Sequence, residues 1–207
     1  GNATATLRWN HLFNNRLFSN TSLIYSNYNY VIQNFLEENN FKVNSSIRDL
    51  NLKQDFQLAL NNSHSMRFGL DIIQHTIAPG NITASATSSV NEVSIEKRKG
   101  NEAAVYVSDE WEFNDKFNVV YGLRASSFFL FGPGNFYNYD KDGNINSTKT
   151  YNSGQLVKGY FNLEPRVSAS FQLDNLSSIK GSYTRNSQNL HLMSNSTASS
   201  PTNLYIM

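Results

Sequence analysis

The sequence predicts an all-β chain, an antiparallel up-and-down meander of about eight long strands forming part of a transmembrane β-barrel. Three observations carry that expectation. Apolar and polar residues alternate over stretches too long for a soluble sandwich, the connections alternate between tight turns and long polar loops, and aromatic residues gather at both ends of the strands.

The elements follow in chain order. Ala3, Ala5, Leu7, Trp9 and His11 alternate with Thr4, Thr6, Arg8 and Asn10, and the polar turn Asn14-Asn15-Arg16 ends that strand. Leu50, Leu52, Phe56, Leu58 and Leu60 oppose Asp49, Asn51, Lys53, Asp55 and Gln57, up to a turn at Asn61-Asn62-Ser63-His64. Ala103, Val105, Val107, Trp111 and Phe113 oppose Tyr106, Ser108, Glu110 and Glu112, with Asp109 intruding on the apolar side, and Asn114-Asp115-Lys116 turns the chain. Phe117, Val119, Tyr121, Leu123, Ala125, Ser127, Phe129 and Phe131 then oppose Asn118, Gly122, Arg124 and Ser126, with Val120 breaking the polar face. The clearest segment runs from Phe161 to Leu173, apolar at every odd position and polar at every even one, before the turn Asp174-Asn175-Leu176. Period-two alternation of this length means strands with one apolar face. A soluble strand typically has about 5 or 6 residues, whereas a membrane strand needs about 9 to 11. The intervening segments carry the same pattern more weakly.

Asn and Asp suit the tight turns because they tolerate positive φ and bond to their own backbone. Between those turns lie long polar stretches at Asn34 to Asn40, Pro79 to Gly100, Gly132 to Gly159 and from Ser194 onward. One sheet edge is therefore expected to carry tight turns and the other long loops, as in outer-membrane barrels. Trp9, Phe13, Trp111, Phe113, Phe117 and Phe171 lie beside the short turns. Tyr25, Tyr28, Tyr30, Phe35, Phe128, Phe129, Phe131, Tyr160 and Phe161 lie toward the long loops. Two such bands match the girdles that amphipathic rings form at the two membrane interfaces.

Composition narrows the function classes. Charged residues are only 16% of the 207, while aromatics reach 13%. The net charge of +1 gives no electrostatic reason to expect nucleic acid. With 0 Cys there is no disulfide, thiolate metal site or cysteine nucleophile. No apolar run of about 18 residues is present, which excludes a membrane helix but not membrane strands. The first residues lack the basic and then apolar layout of a signal peptide. Residues 1–207 are therefore expected to be one partial barrel domain, an internal segment of a longer chain.

Asn162-Leu163-Glu164-Pro165-Arg166-Val167-Ser168, followed by Ser178-Ile179-Lys180-Gly181-Ser182-Tyr183-Thr184-Arg185 and then Gln188-Asn189, resembles the barrel of TonB-dependent outer-membrane receptors, particularly those of Bacteroidetes-like bacteria. Tyr106-Val107-Ser108-Asp109-Glu110-Trp111, leading through a short turn to Tyr121-Gly122-Leu123-Arg124, is similar to another of their hairpins. The resemblance implies a barrel of about 22 strands with a plugged lumen, of which about eight lie here. It implies the bacterial outer membrane as location, and import of a scarce nutrient such as an iron chelate, a cobalamin-like ligand or a glycan. Its implied partners are outer-membrane lipid, the rest of the barrel, the plug domain and, through the plug, the TonB energy-coupling system. The plug and its coupling segment have no counterpart in these residues. An open piece of barrel exposes strand edges and an apolar face, so self-association in water is expected. A small complete barrel with a structural or adhesion role is the alternative. A barrel-type enzyme is a third reading.

No catalytic, cofactor or metal site is expected. His11, His64, His75 and His191 are scattered away from metal-ligand spacing, and no nucleophile and base stand in any evident order. Glu164 and Arg166 share a strand face and are expected to pair with neighbouring charges in a polar lumen. Asp140-Lys141-Asp142-Gly143-Asn144 places its glycine too early for an EF-hand and lacks the distal Glu, so it reads as a turn. Phe136, Tyr137 and Tyr139 in that loop are the candidate ligand-binding residues, because exposed rings suit the flat faces of a sugar or a chelate, and packing of the loop against its neighbours is the other reading. Glu96-Lys97-Arg98-Lys99 reads as a solvated tip, with contact to anionic lipid headgroups as the other option.

Overall fold

A computed structural model describes residues 1–34, 40–84, 93–94, 96–189, 191–193 and 204–206. The strands are β1 (Asn2–Asn14), β2 (Leu17–Asn34), β3 (Phe41–Ala59), β4 (His64–Ala84), β5 (Val93–Ser94), β6 (Arg98–Asn114), β7 (Phe117–Phe131), β8 (Gly134–Tyr139), β9 (Ile145–Tyr151), β10 (Leu156–Gln172), β11 (Ser178–Thr184), β12 (His191–Met193) and β13 (Leu204–Ile206). Eight of them form one antiparallel meander in the order β1-β2-β3-β4-β6-β7-β10-β11, with β5 paired to β4. The expected all-β architecture and strand number are therefore present. The sheet stays open, since β1 and β11 do not pair with each other.

The turns form for the reason their sequence gives. Asn14 Oδ1 accepts from the N–H groups of Arg16 and Leu17, Asn61 from Ser63 and His64, and Asn114 from Lys116 and Phe117. One amide oxygen at each turn thus satisfies the two donors that reversal leaves without a ladder partner.

Two of the long polar stretches are shorter than the sequence suggests. β4 runs on to Ala84, past Pro79 and Gly80, and β6 begins at Arg98. Proline is tolerated there because the β3–β4 register shifts between Asn44 and Ser46, and Ser45 Oγ donates to the Ala78 carbonyl at 3.0 Å. Gly132 to Gly159 is likewise no open loop. It contains the β8–β9 hairpin, and β10 starts at Leu156. Phe35 and the stretch Ser194 to Asn203 lie outside the described residues. In the tail, Leu204–Ile206 pairs with His191–Met193.

The register puts the apolar sets of neighbouring strands on one face. Leu7, Leu23, Leu52 and Ile72 stand opposite one another in sequence across four strands, then Ala103, Ser127 and Phe161 across three more. This face is exposed: Leu7 at 71%, Trp9 at 63% and Phe161 at 67%. Buried side chains instead sit mostly on the polar face, among them Ile77, Ala104, Phe128, Leu130, His75 and Glu164. Side chains converge on the concave side of a curved sheet and spread on the convex side, so the polar face is the inner one. A soluble sheet buries its apolar face against a second layer. Here no second layer covers it among the described residues, and an apolar patch of this size requires an apolar medium.

Seven of the eight meander strands have 13 to 21 residues. About 9 to 11 residues span a membrane. The surplus in β2, β3 and β4 therefore projects beyond it on the long-loop side. Within the inner face Tyr106 crosses Gly69 of the neighbouring strand to donate to the Asp55 carboxylate. A Cβ at Gly69 would strike that ring, so glycine in mid-strand serves a close approach here.

Candidate functional site

At the long-loop edge the β8–β9 hairpin is built on a polar clamp. Glu96 Oε2 accepts from the Asn135 N–H and from Arg98 Nη1, both at 2.9 Å, and Arg98 Nη2 donates to the Asn135 carbonyl at 3.0 Å. Gly134 has φ of 144° and lies so close to Arg98 and Glu96 that a Cβ would collide with both. The expected solvated tip at Glu96 to Lys99 is corrected accordingly. Glu96 and Arg98 fasten the hairpin, and Arg98 and Lys99 belong to β6.

The hairpin tip is the turn expected at Asp140 to Asn144. Asp140 Oδ1 accepts from the N–H groups of Asp142 and Asn144 at 2.9 and 2.8 Å, and Gly143 adopts φ of 83°. The backbone N–H of Asn144, followed by its side chain and the Asp142 and Gly143 amides, holds the Asp140 carboxyl below its ordinary range.

The three candidate aromatics divide between two roles. Phe136 packs: the Arg98 guanidinium lies 4.4 Å from its ring centre, and Tyr151 meets it edge-on at 5.5 Å. Tyr137 and Tyr139, on the other face of β8 by the two-residue period, remain 45% and 61% exposed. Cations gather around this edge, with Lys149 4.9 Å from the Tyr151 ring centre and Lys158 5.1 Å from that of Tyr160. Lys149 and Lys158 are not singled out by the sequence, and Glu96 and Arg98 stand out there only as a charged tip, because no spacing rule links residues that only the long-range register brings together.

Glu96 also makes the hairpin sensitive to acid. The Asn135 N–H, then Arg98, stabilise its charged form and lower its pKa from the ordinary 4.5. A depressed folded-state pKa gives stability that is full above the unfolded value and disappears as pH falls through the folded one. The amide protection factors of residues 134–139 are therefore expected to fall below pH 4.5, and Glu96→Gln is expected to show the lower protection already at neutral pH.

The concave face carries a second polar assembly. Arg124 lies 3.6 Å from Asp71 and 3.8 Å from Glu164, and Glu164 Oε1 also accepts from Ser126 Oγ at 2.8 Å. Asn51 donates to Asp71 at 3.1 Å, and His75 Nδ1 meets Asp49 at 2.8 Å. The expected pairing of Glu164 with a neighbouring strand is thus found in Arg124. Beside it a groove of about 530 Å³ is lined by Lys53, Arg67, Tyr106, Arg124 and Arg166. A lumen wall so polar suits a hydrated or protein-filled interior.

Three further groups answer the intrusion of Asp109 on the apolar face. Its Oδ2 accepts from His64 Nδ1 at 2.7 Å and Tyr121 OH at 2.8 Å, and Trp111 stacks on His64 at 5.6 Å. The sequence signal for this cluster was the single break in alternation at Asp109.

Comparison with known proteins agrees with this construction. The model of the TonB dependent receptor-like, beta-barrel family matches residues 1–205. No curated protein sequence matches. Among solved structures, the open form of the ferric-catecholate import receptor Fiu from E. coli K12 superposes with a TM-score of 0.55 at 13% identity, over 88% of this chain and 35% of that receptor. At that identity the likeness concerns the fold, and this chain spans about a third of the receptor's length. With a match over nearly its whole length, an open antiparallel meander and an apolar outer face, the chain belongs to the TonB-dependent receptor β-barrel family of the bacterial outer membrane.

Proposed function

We propose that residues 1–207 are one partial barrel domain, the wall segment of a receptor that imports a flat, anionic iron chelate, and that the β8–β9 hairpin contributes to capturing it. What supports the ligand class is that the long-loop edge carries exposed rings, Tyr137 and Tyr139, on one face of the hairpin, with Lys149 on the other face, opposite Phe136, and Lys158 nearby on β10. Rings offer stacking surface and the cations attract negative charge. A neutral glycan would use the rings alone, and a cobalamin-like ligand has less need of the cations. The similarity in fold to a ferric-catecholate receptor is compatible with the chelate. Membership in the family supports reading the parent as a transporter. Its partners would be the plug in the lumen, the energy-coupling system acting through that plug, and lipid around the apolar face.

The small closed barrel is disfavoured because the outer edges of β1 and β11 have no strand partner among the described residues. The test uses the full-length receptor. Tyr137→Ala combined with Tyr139→Ala removes two stacking partners worth about 0.5–1.5 kcal/mol each, and so weakens chelate binding roughly 5- to 150-fold. Titration calorimetry with a panel of ferric chelates, cobalamin and oligosaccharides checks both the class and the loss. Binding of a neutral oligosaccharide with no chelate response would overturn the ligand class.

A further inference from the structure

We propose that the convex face carries a phosphate site just above the long-loop aromatic band, where Arg48 and Lys99 hold the phosphate monoester of an outer-leaflet lipid over the Thr76 hydroxyl. The register sets the three residues in one row, with Arg48 paired to Thr76 and Thr76 to Lys99. Neighbouring strands lie about 4.8 Å apart, so the two cations flank the threonine about 10 Å from each other, and both reach a single phosphate between them. Their direction follows from the two-residue period. Leu50 and Leu52 on β3, Ile72 on β4, and Val105 and Val107 on β6 share it and are exposed on the outer face. Arg48 and Lys99 are exposed with them. Asp49, next to Arg48 in the chain, points into the lumen and meets His75. The outward positions around the row, Ser46, Gln74, Ala78 and Asn101, bring no carboxylate. Neither Arg48 nor Lys99 has a side-chain hydrogen bond or ion pair among the described residues.

Depth selects the partner. The row of Arg48, Thr76 and Lys99 continues to Phe131 and lies eight residues above the row of Phe56, Phe68, Val107 and Leu123. Leu123 stands midway between Phe117 and Phe129, toward the two ends of β7, and so near the middle of the apolar band. Eight residues of about 3.3 Å each, on a strand tilted by about 40°, rise about 20 Å. The hydrocarbon around such a barrel ends about 12 Å from its middle, and the headgroup layer extends to about 20–22 Å. The two cations therefore stand among headgroups, with Tyr25 and Phe129 in the outward row beneath them at the edge of the hydrocarbon. A phosphate monoester carries about −1.5 to −2 charges at neutral pH and three acceptor oxygens. The arginine fork engages two oxygens and the lysine ammonium opposes the remaining charge. A diester headgroup brings less charge, and a zwitterionic one sets its own cation beside the phosphate.

The full-length receptor, purified in detergent, is offered equal amounts of phosphatidic acid, phosphatidylglycerol and phosphatidylcholine with identical chains, and retained lipid is read by native mass spectrometry. Phosphatidic acid is expected to be retained at least about fivefold over each of the other two, on the scale of two basic residues at a lipid surface. Arg48→Gln combined with Lys99→Gln is expected to abolish that preference. Lys116→Gln combined with Lys141→Gln removes the same charge from two turns and is expected to leave it intact. Retention of phosphatidic acid no better than that of phosphatidylglycerol would overturn the site. An unchanged preference in the Arg48 and Lys99 variant would overturn the assignment to those residues, and a preference lost equally in the turn variant would reduce it to attraction by net charge. Should the double variant fail to fold, Arg48→Gln alone is read in the same way, and no readout depends on which nutrient the receptor imports.

Discussion

Leu123→Arg in the full-length receptor is expected to lower unfolding free energy by about 2–4 kcal/mol, whereas Leu176→Arg is expected to change it by about 0–1 kcal/mol. Leu123 lies six residues from Phe117 and six from Phe129, the aromatic residues toward the two ends of β7, and its side chain points outward. It therefore stands at the middle of the apolar band, where a guanidinium reaches neither interface. Leu176 stands in the β10–β11 turn and is 98% exposed, so an arginine there stays in water. In a soluble sandwich both exposed leucines would accept arginine with little effect, so the contrast is specific to a lipid-facing surface. Urea unfolding of the receptor in bilayers measures the two differences directly.

The second large effect concerns residues 1–207 prepared alone. We propose that they self-associate in water. The outer edge of β1 and that of β11 have no strand partner among the described residues, and the leucines, phenylalanines and tryptophans of the convex face have no covering layer. Unpaired edges and an extended apolar face each promote association, and together they leave no route to a water-stable monomer. Sedimentation velocity without detergent is expected to show oligomers or aggregate, and detergent above its micelle concentration is expected to disperse them. A detergent-free monomer would mean that the chain closes on itself as a soluble β fold.

Most of the architecture was legible because side-chain direction in a strand has a period of two, so that a lipid-facing strand must alternate in its sequence. Phe161 to Leu173 does this at every position, and its register against β7 keeps Leu163 beside Ala125 and Val167 beside Tyr121. The β8–β9 hairpin left no such trace. Asn135, Asn138, Ser147 and Thr148 are polar irrespective of face, since a hairpin in water outside the membrane has no apolar side to mark. Its tip at Asp140 to Asn144 was readable as a turn, but the strands flanking it were not. Pro79 and Gly80 pointed to a loop by local chemistry, yet the bulge opposite them at Ser45 lets β4 continue.

The candidate site at the long-loop edge was legible only in part for a related reason. Tyr137 and Tyr139 could be picked out as aromatics in a polar segment, while Phe136 could not be separated from them until the Arg98 and Tyr151 contacts were seen. The clamp of Glu96 on Asn135 spans 39 residues, and the pairing of Arg124 with Glu164 joins strands 40 positions apart. Such contacts depend on register, which the alternation constrains without stating. Asp109 shows the converse: one residue out of pattern marked a cluster whose other members, His64 and Tyr121, looked ordinary where they stood.

Heat-modifiable gel mobility of the full-length receptor, taken from purified outer membranes and detected with an antibody raised against residues 1–207, tests the central claim most directly. A band in the outer-membrane fraction that migrates faster before boiling than after it is expected, as for a closed barrel. An antigen confined to the soluble fraction, with the same mobility boiled or not, would contradict the membrane-barrel assignment.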